Sequence, residues 1–164
     1  MYYLAFFIAT IFFANWAIAE YGLVPVGPAL VAPAGVYFAG LAFTFRDLAQ
    51  ERVGRGWIAA AIVVGAVISG LVSTKFALAS GVAFLVSELL DFAVYTPLRR
   101  RNWIGAVVAS NIVGLVADSI IFLALAFGSL EYLPGQVVGK AWMTLLAVFV
   151  LWLLRRGVAP SPER

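Results

Sequence analysis

The stretch FALASGVAFLVSELLDFAVY, residues 76–95, decides how the chain is read. As a helix, a run of this length covers the roughly 30 Å of hydrocarbon in a bilayer, at about 1.5 Å of rise per residue. Its only charged residues are Glu88 and Asp91. It lacks the strict alternation of a membrane barrel strand. Charge inside a span costs about 2.5–3.5 kcal/mol on insertion scales, so two acids in one span call for a reason.

Working outward, five more apolar stretches are read as spans: 2–19, 33–49, 57–73, 103–127 and 136–154. Pro25, Gly27, Pro28 and Pro33 punctuate the first loop; Gly54 and Gly56 end the second segment. Pro97 and Arg99-Arg100-Arg101 end the fourth, and Gly128, Pro134 and Gly135 separate the last two. The first stretch lacks the positive n-region of a signal peptide, although Ala17-Ile18-Ala19 has the look of a cleavage site. The expected fold is an all-α polytopic membrane protein, one six-helix transmembrane domain over 1–164.

Composition agrees. Of 164 residues, 64% are hydrophobic and 12% charged, and the mean hydropathy is +1.03. A soluble domain runs near 45–50% apolar and 25% charged, and one this small cannot hide so much apolar surface. Cysteine and histidine are absent. Disulfide frameworks, thiolate metal sites, zinc hydrolysis and Ser-His chemistry lose their usual residues. The serines and carboxylates have no such base beside them, so an intramembrane enzyme is disfavoured. No P-loop is present, so any use of ATP requires another subunit. No cofactor is expected.

The basic residues orient the spans. Arg46, Arg52 and Arg55 follow the second segment, Arg99, Arg100 and Arg101 the fourth, and Arg155, Arg156 and Arg164 the sixth. The other side carries only Lys75, with Lys140 inside the sixth segment. The positive-inside rule places both termini in the cytoplasm of a cell (inner) membrane protein, with Trp57 and Trp103 at the same interface. Topology and lipid headgroups account for the arginine clusters.

Four charged residues fall at membrane depth: Glu88, Asp91, Asp118 and Lys140, joined by the amides Asn15 and Asn111. By helical rise, Glu88 lies about 18 Å down from the outer side and Asn111 about 12 Å up from the inner side, one shared level. Asp118 at about 22 Å up and Lys140 at about 6 Å down share a second, outer level, with Asn15 near it. Glu88, Asp91 and Tyr95 are spaced i, i+3, i+7, as are Asn111, Gly114 and Asp118, while Gln136 and Lys140 are i, i+4; each set shares one helix face. Gly65, Ser69, Gly70, Ser73, Ser110 and Gly114 allow close helix packing.

The plain reading of Asp118 and Lys140 is an internal ion pair. Glu88 and Asp91 find no cation at their own depth, so either one is protonated or both face water or a ligand; Arg46 and Arg99, nearer the cytoplasm, can neutralise Asp91. Trp16, Tyr37, Phe38 and Trp142 serve as interface anchors or as stacking faces for a ligand. Carboxylates, amides and aromatic faces together suit a flat, hydrogen-bonding heterocycle. Chemistry alone stops at a small polar solute.

The strings Ser87-Glu88-Leu89-Leu90-Asp91 and Val94-Tyr95-Thr96-Pro97-Leu98-Arg99-Arg100-Arg101 resemble the signature of the queuosine precursor transporter family, also called the vitamin uptake transporter family. Ser110-Asn111 with Gly114, Asp118-Ser119 and Phe122 continues the likeness. So do Gly135-Gln136 with Lys140, and Phe45-Arg46-Asp47 with Gln50-Glu51-Arg52 and Gly54. The likeness spans residues 34–145, and the first segment matches least. It implies six helices, a bundle similar to the S subunits of energy-coupling-factor transporters, and import of a 7-deazaguanine base, preQ0 or preQ1. The candidate substrate-binding residues are Glu88, Asp91, Asn111, Asp118, Gln136, Lys140 and, less directly, Asn15. The implied partners are that base and the lipid bilayer, with no nucleic acid; a homo-oligomer and an energy-coupling partner both stay open. The alternatives are a substrate-binding subunit of an energy-coupling-factor vitamin transporter and a structural or assembly membrane protein without transport.

Overall fold

The computed structural model describes residues 2–98 and 100–157. Arg99, Arg164 and the side chains of Trp103, Arg155 and Arg156 lie outside the described residues, and so do the expectations placed on them. The described residues form six helices: α1 (Tyr2–Tyr21), α2 (Val36–Val53), α3 (Arg55–Ser69), α4 (Thr74–Leu98), α5 (Trp103–Phe127) and α6 (Leu133–Gly157). Among the described residues, four stretches are long and apolar enough to cross a bilayer: Tyr2–Tyr21, Thr74–Leu98, Val108–Phe127 and Leu133–Val150. α2 has the length of a span but carries charge in its second half. α3 has only 15 residues, a rise of about 22 Å. It stops before the expected end at residue 73, because the chain turns at Gly70 and the following residues, where the backbone N–H of Gly70 closes on Ala66 and Val67.

Breaks fall where backbone chemistry demands them. Gly54 separates α2 from α3 at φ 83, and Gly128 caps α5 in the left-handed region at φ 66. Asn102 caps α5 at its start, its Oδ1 accepting from the Gly105 N–H at 3.0 Å. α4 runs past the expected end at residue 95 and holds Pro97 in its last turn. α6 begins at Leu133, with Pro134 and Gly135 in its first turn, where a missing N–H costs nothing.

The expected loop at Pro25, Gly27, Pro28 and Pro33 is instead an antiparallel hairpin, β1 (Leu23–Gly27) with β2 (Leu30–Pro33). In a two-stranded sheet both strands are edges, so proline is tolerated, and the turn residues concealed the short apolar strands. The hairpin is pinned twice. The Tyr37 hydroxyl donates to the Pro25 carbonyl at 2.7 Å. Gly135, in the first turn of α6, lies so close to Val31 that a Cβ would collide with its carbonyl oxygen.

α4 packs most extensively on α5, α1 on α2 and α3, and α2 on α6. The helices alternate in direction. Arg52, at the end of α2, lies over the Tyr3 ring near the start of α1 at 5.3 Å, and Arg55, at the start of α3, lies over Phe92 near the end of α4 at 4.1 Å. One end of the bundle therefore carries the arginines and the other the hairpin. One apolar core gathers Phe7, Ile11, Phe43, Ile58, Ile62 and Phe84; a second gathers Ile18, Phe122 and Leu123. Large apolar side chains also cover the outside, among them Val67 at 71% exposure and Leu71 at 87%. Such a surface belongs against lipid.

Candidate functional site

Four of the expected residues meet in one place. α1 brings Asn15, α5 brings Asp118, and α6 brings Gln136 and Lys140 one turn apart. All four are at most 3% exposed. They line one cavity with Ala39 of α2, Ser80 and Phe84 of α4, and Phe122 of α5. Gly35 and Val36, just after the hairpin, close one side.

The groups satisfy one another almost completely. The Lys140 ammonium donates to Asp118 Oδ2 and, at 2.8 Å, to Ser119 Oγ. The Ser119 hydroxyl itself donates to the Leu115 carbonyl at 2.8 Å. The Asn15 amide donates to the Ile11 carbonyl at 3.0 Å and to Ser80 Oγ at 2.9 Å. A charge so deep in an apolar bundle is tolerated only with its partner, so Asp118 and Lys140 tie α5 to α6. The internal ion pair read from depth is therefore present.

One group is left over. Gln136 is 2% exposed, and its Oε1 has no hydrogen-bond partner among the described residues. A buried acceptor left in this way costs about 1–3 kcal/mol. The cavity it lines measures about 20 Å³, room for about one water molecule. A base-sized guest enters only if the helices part. A wider groove of about 360 Å³ lies between α3 and α4, but Ile62, Val67, Leu78 and Leu85 line it, and it offers a polar solute almost nothing to bind.

Glu88 and Asp91 belong to a second polar cluster, one nearer the arginine-rich end. The expectation that Glu88 lacks a cation at its own depth is corrected: Arg46 Nη1 lies 3.0 Å from Glu88 Oε2. The approach is an ion pair without hydrogen-bond alignment, since that oxygen has no hydrogen-bond partner among the described residues. Arg46 also donates to Asp47 Oδ1, from Nη2 at 2.8 Å and Nε at 3.0 Å. α2 runs on to Val53, past the expected end at residue 49, so Arg46 stands about two turns inside the helix and its long side chain reaches Glu88. Asp91 is half-buried against α5, its Cβ 3.6 Å from where a Cβ on Gly114 would stand.

Asn111 is not brought into either cluster. It is exposed, while Gly114 and Asp118 on the same stripe are buried. Spacing fixes which face a residue shares; it does not fix whether a neighbour covers that face at a given depth, and α5 packs mainly on α4 and lightly on α6. Of the aromatics, Trp142 is 60% exposed and Tyr37 serves the hairpin. The rings at the cavity are Phe84 and Phe122.

Sequence reasoning passed over Ser80, Phe84 and Phe43. Ser80, Phe84 and Glu88 are spaced i, i+4, i+8, a signal available on the fourth segment. Ser119 was visible only as a neighbour of Asp118.

Residues 70–155, from the turn before α4 into α6, match the family model for vitamin uptake transporters. No curated protein and no solved structure matches the chain. The family match covers more than half of the sequence, including Gln136, Lys140 and Asp118. A helical membrane bundle with this match over its last three helices belongs to the vitamin uptake transporter family.

Proposed function

We propose that the chain imports a small planar base, a 7-deazaguanine precursor of queuosine, and that the cavity at Asn15, Asp118, Gln136 and Lys140 binds it. The observation that carries this reading is Gln136, which lines the cavity and whose buried Oε1 has no hydrogen-bond partner among the described residues. Its natural partner is an N–H of a guest. Asp118 can accept a second N–H edge, and Lys140 can donate to a ring carbonyl; the two hold each other's places until a solute takes over. Phe84 and Phe122 supply ring faces for stacking. The sequence likeness to queuosine precursor transporters supplies the choice of 7-deazaguanine among planar bases. Opening of the bundle is part of the reading, since transport alternates access around a site near mid-membrane. The arginine-rich end then faces the cytoplasm.

A second reading is favoured by the closure of Asp118 on Lys140: a structural protein whose buried charges hold its helices together. It leaves Gln136 unexplained. Uptake separates the two. Cells unable to make 7-deazaguanine, supplied with labelled preQ0 or preQ1, should accumulate label when they express the chain and lose most of it with Asn15→Ala. Accumulation no greater than in cells without the chain would leave the structural reading standing.

A further inference from the structure

Read from the hairpin end toward the arginine-rich end, α2 and α4 repeat one pattern. Ala39 and Ser80 line the cavity. About one turn on, Phe43 and Phe84 stand with ring centroids 5.9 Å apart, and Phe7 of α1 meets Phe84 edge-on at 6.2 Å. These rings are at most 8% exposed. A turn further, Arg46 and Glu88 bridge the same two helices. The spacings 39, 43, 46 and 80, 84, 88 keep each series on one helix face, at about 5.4 Å per turn. The cavity thus has an aromatic floor, and beneath the floor a cross-helix ion pair.

We propose that Phe43 and the Arg46–Glu88 pair form a gate that closes the cavity toward the arginine-rich end. The inference rests on reading the cavity as a transport site. An apolar floor bars water and polar solutes alike, so passage requires the rings to part. The pair holds α2 to α4 directly below the rings. Its release does not strand the guanidinium in hydrocarbon, because Asp47 on the same helix keeps both of its hydrogen bonds. Glu88, held by charge without an aligned hydrogen bond, is the arm that lets go. The floor is also linked to the site above. The Phe43 ring lies 5.1 Å from the Arg46 guanidinium and 6.0 Å from Lys140 Nζ. A solute that draws Lys140 away from Asp118 therefore shifts a cation from the ring that closes its exit.

The chain has no cysteine, so Ser80→Cys places the sole thiol in the cavity. Vesicles of both orientations are treated with a membrane-impermeant methanethiosulfonate. The thiol should be protected from the arginine-rich face. Adding either Phe43→Ala or Glu88→Gln should raise labelling from that face about tenfold, equivalent to about 1.4 kcal/mol on the opening equilibrium, with labelling from the hairpin face unchanged. Glu88→Gln keeps the side-chain shape and guards against a folding defect in the phenylalanine variant. Free labelling from the arginine-rich face without either change, no acceleration with both, or an equal rise from both faces would overturn the gate. No solute enters the measurement, so a failed gate and a failed transport site give different results: the second shows normal gating without binding.

Discussion

Lys140→Met should be the most damaging single change to the fold. It leaves Asp118 buried with no cation, and breaking a buried pair from one side costs about 3–5 kcal/mol. That is a large share of the roughly 5–15 kcal/mol that holds a typical domain together. The side chain it removes is 2% exposed and also bonds Ser119. The double variant Asp118→Leu with Lys140→Met should recover most of that loss, because the cost lies in the stranded charge and not in the absence of a bond. Thermal unfolding in detergent of the single and double variants measures this. The double variant should nonetheless fail to transport, having lost both the acceptor and the donor offered to a solute. A double variant as unstable as the single one would mean that the pair contributes more than mutual neutralisation.

Gln136→Met separates binding from stability in the opposite sense. Methionine matches the length of glutamine and fills its space without a polar atom. Because Oε1 has no partner among the described residues, its removal takes no described bond from the fold and relieves a desolvation cost of about 1–3 kcal/mol. The melting temperature should hold or rise. Uptake at low solute concentration should fall by about tenfold to hundredfold, the worth of one buried hydrogen bond to a ligand. Loss of stability with intact uptake would assign Gln136 to packing. The contrast with Lys140→Met is the signature of a site in which one group serves the guest and its neighbours serve the bundle.

What the sequence could and could not disclose follows from what depth and spacing measure. Rise per residue put Asp118, Lys140 and Asn15 at one level, and they meet there. Gln136 followed from its i, i+4 relation to Lys140. The same arithmetic set Glu88 without a cation, because it ended the second span at residue 49, whereas α2 runs to Val53 and holds Arg46 deep enough to reach across to α4. It set Asn111 inside, because it knows a stripe but not which helix covers it. The hairpin was hidden by the prolines and glycines that interrupt it. The size of the cavity depends on how far apart the helices stand, and no residue pattern encodes that distance. It measures about 20 Å³, with Lys140 and Asp118 paired in its wall.

The central claim is that this cavity takes in a planar base. Calorimetric titration of the purified protein with preQ0, preQ1 and guanine tests it most directly, with the Asp118→Leu, Lys140→Met double variant as the control. Saturable one-to-one binding of a 7-deazaguanine base to the native chain, and none to the folded double variant, is the expected result. Absence of saturable binding for all three bases, or equal affinity in the double variant, would contradict it.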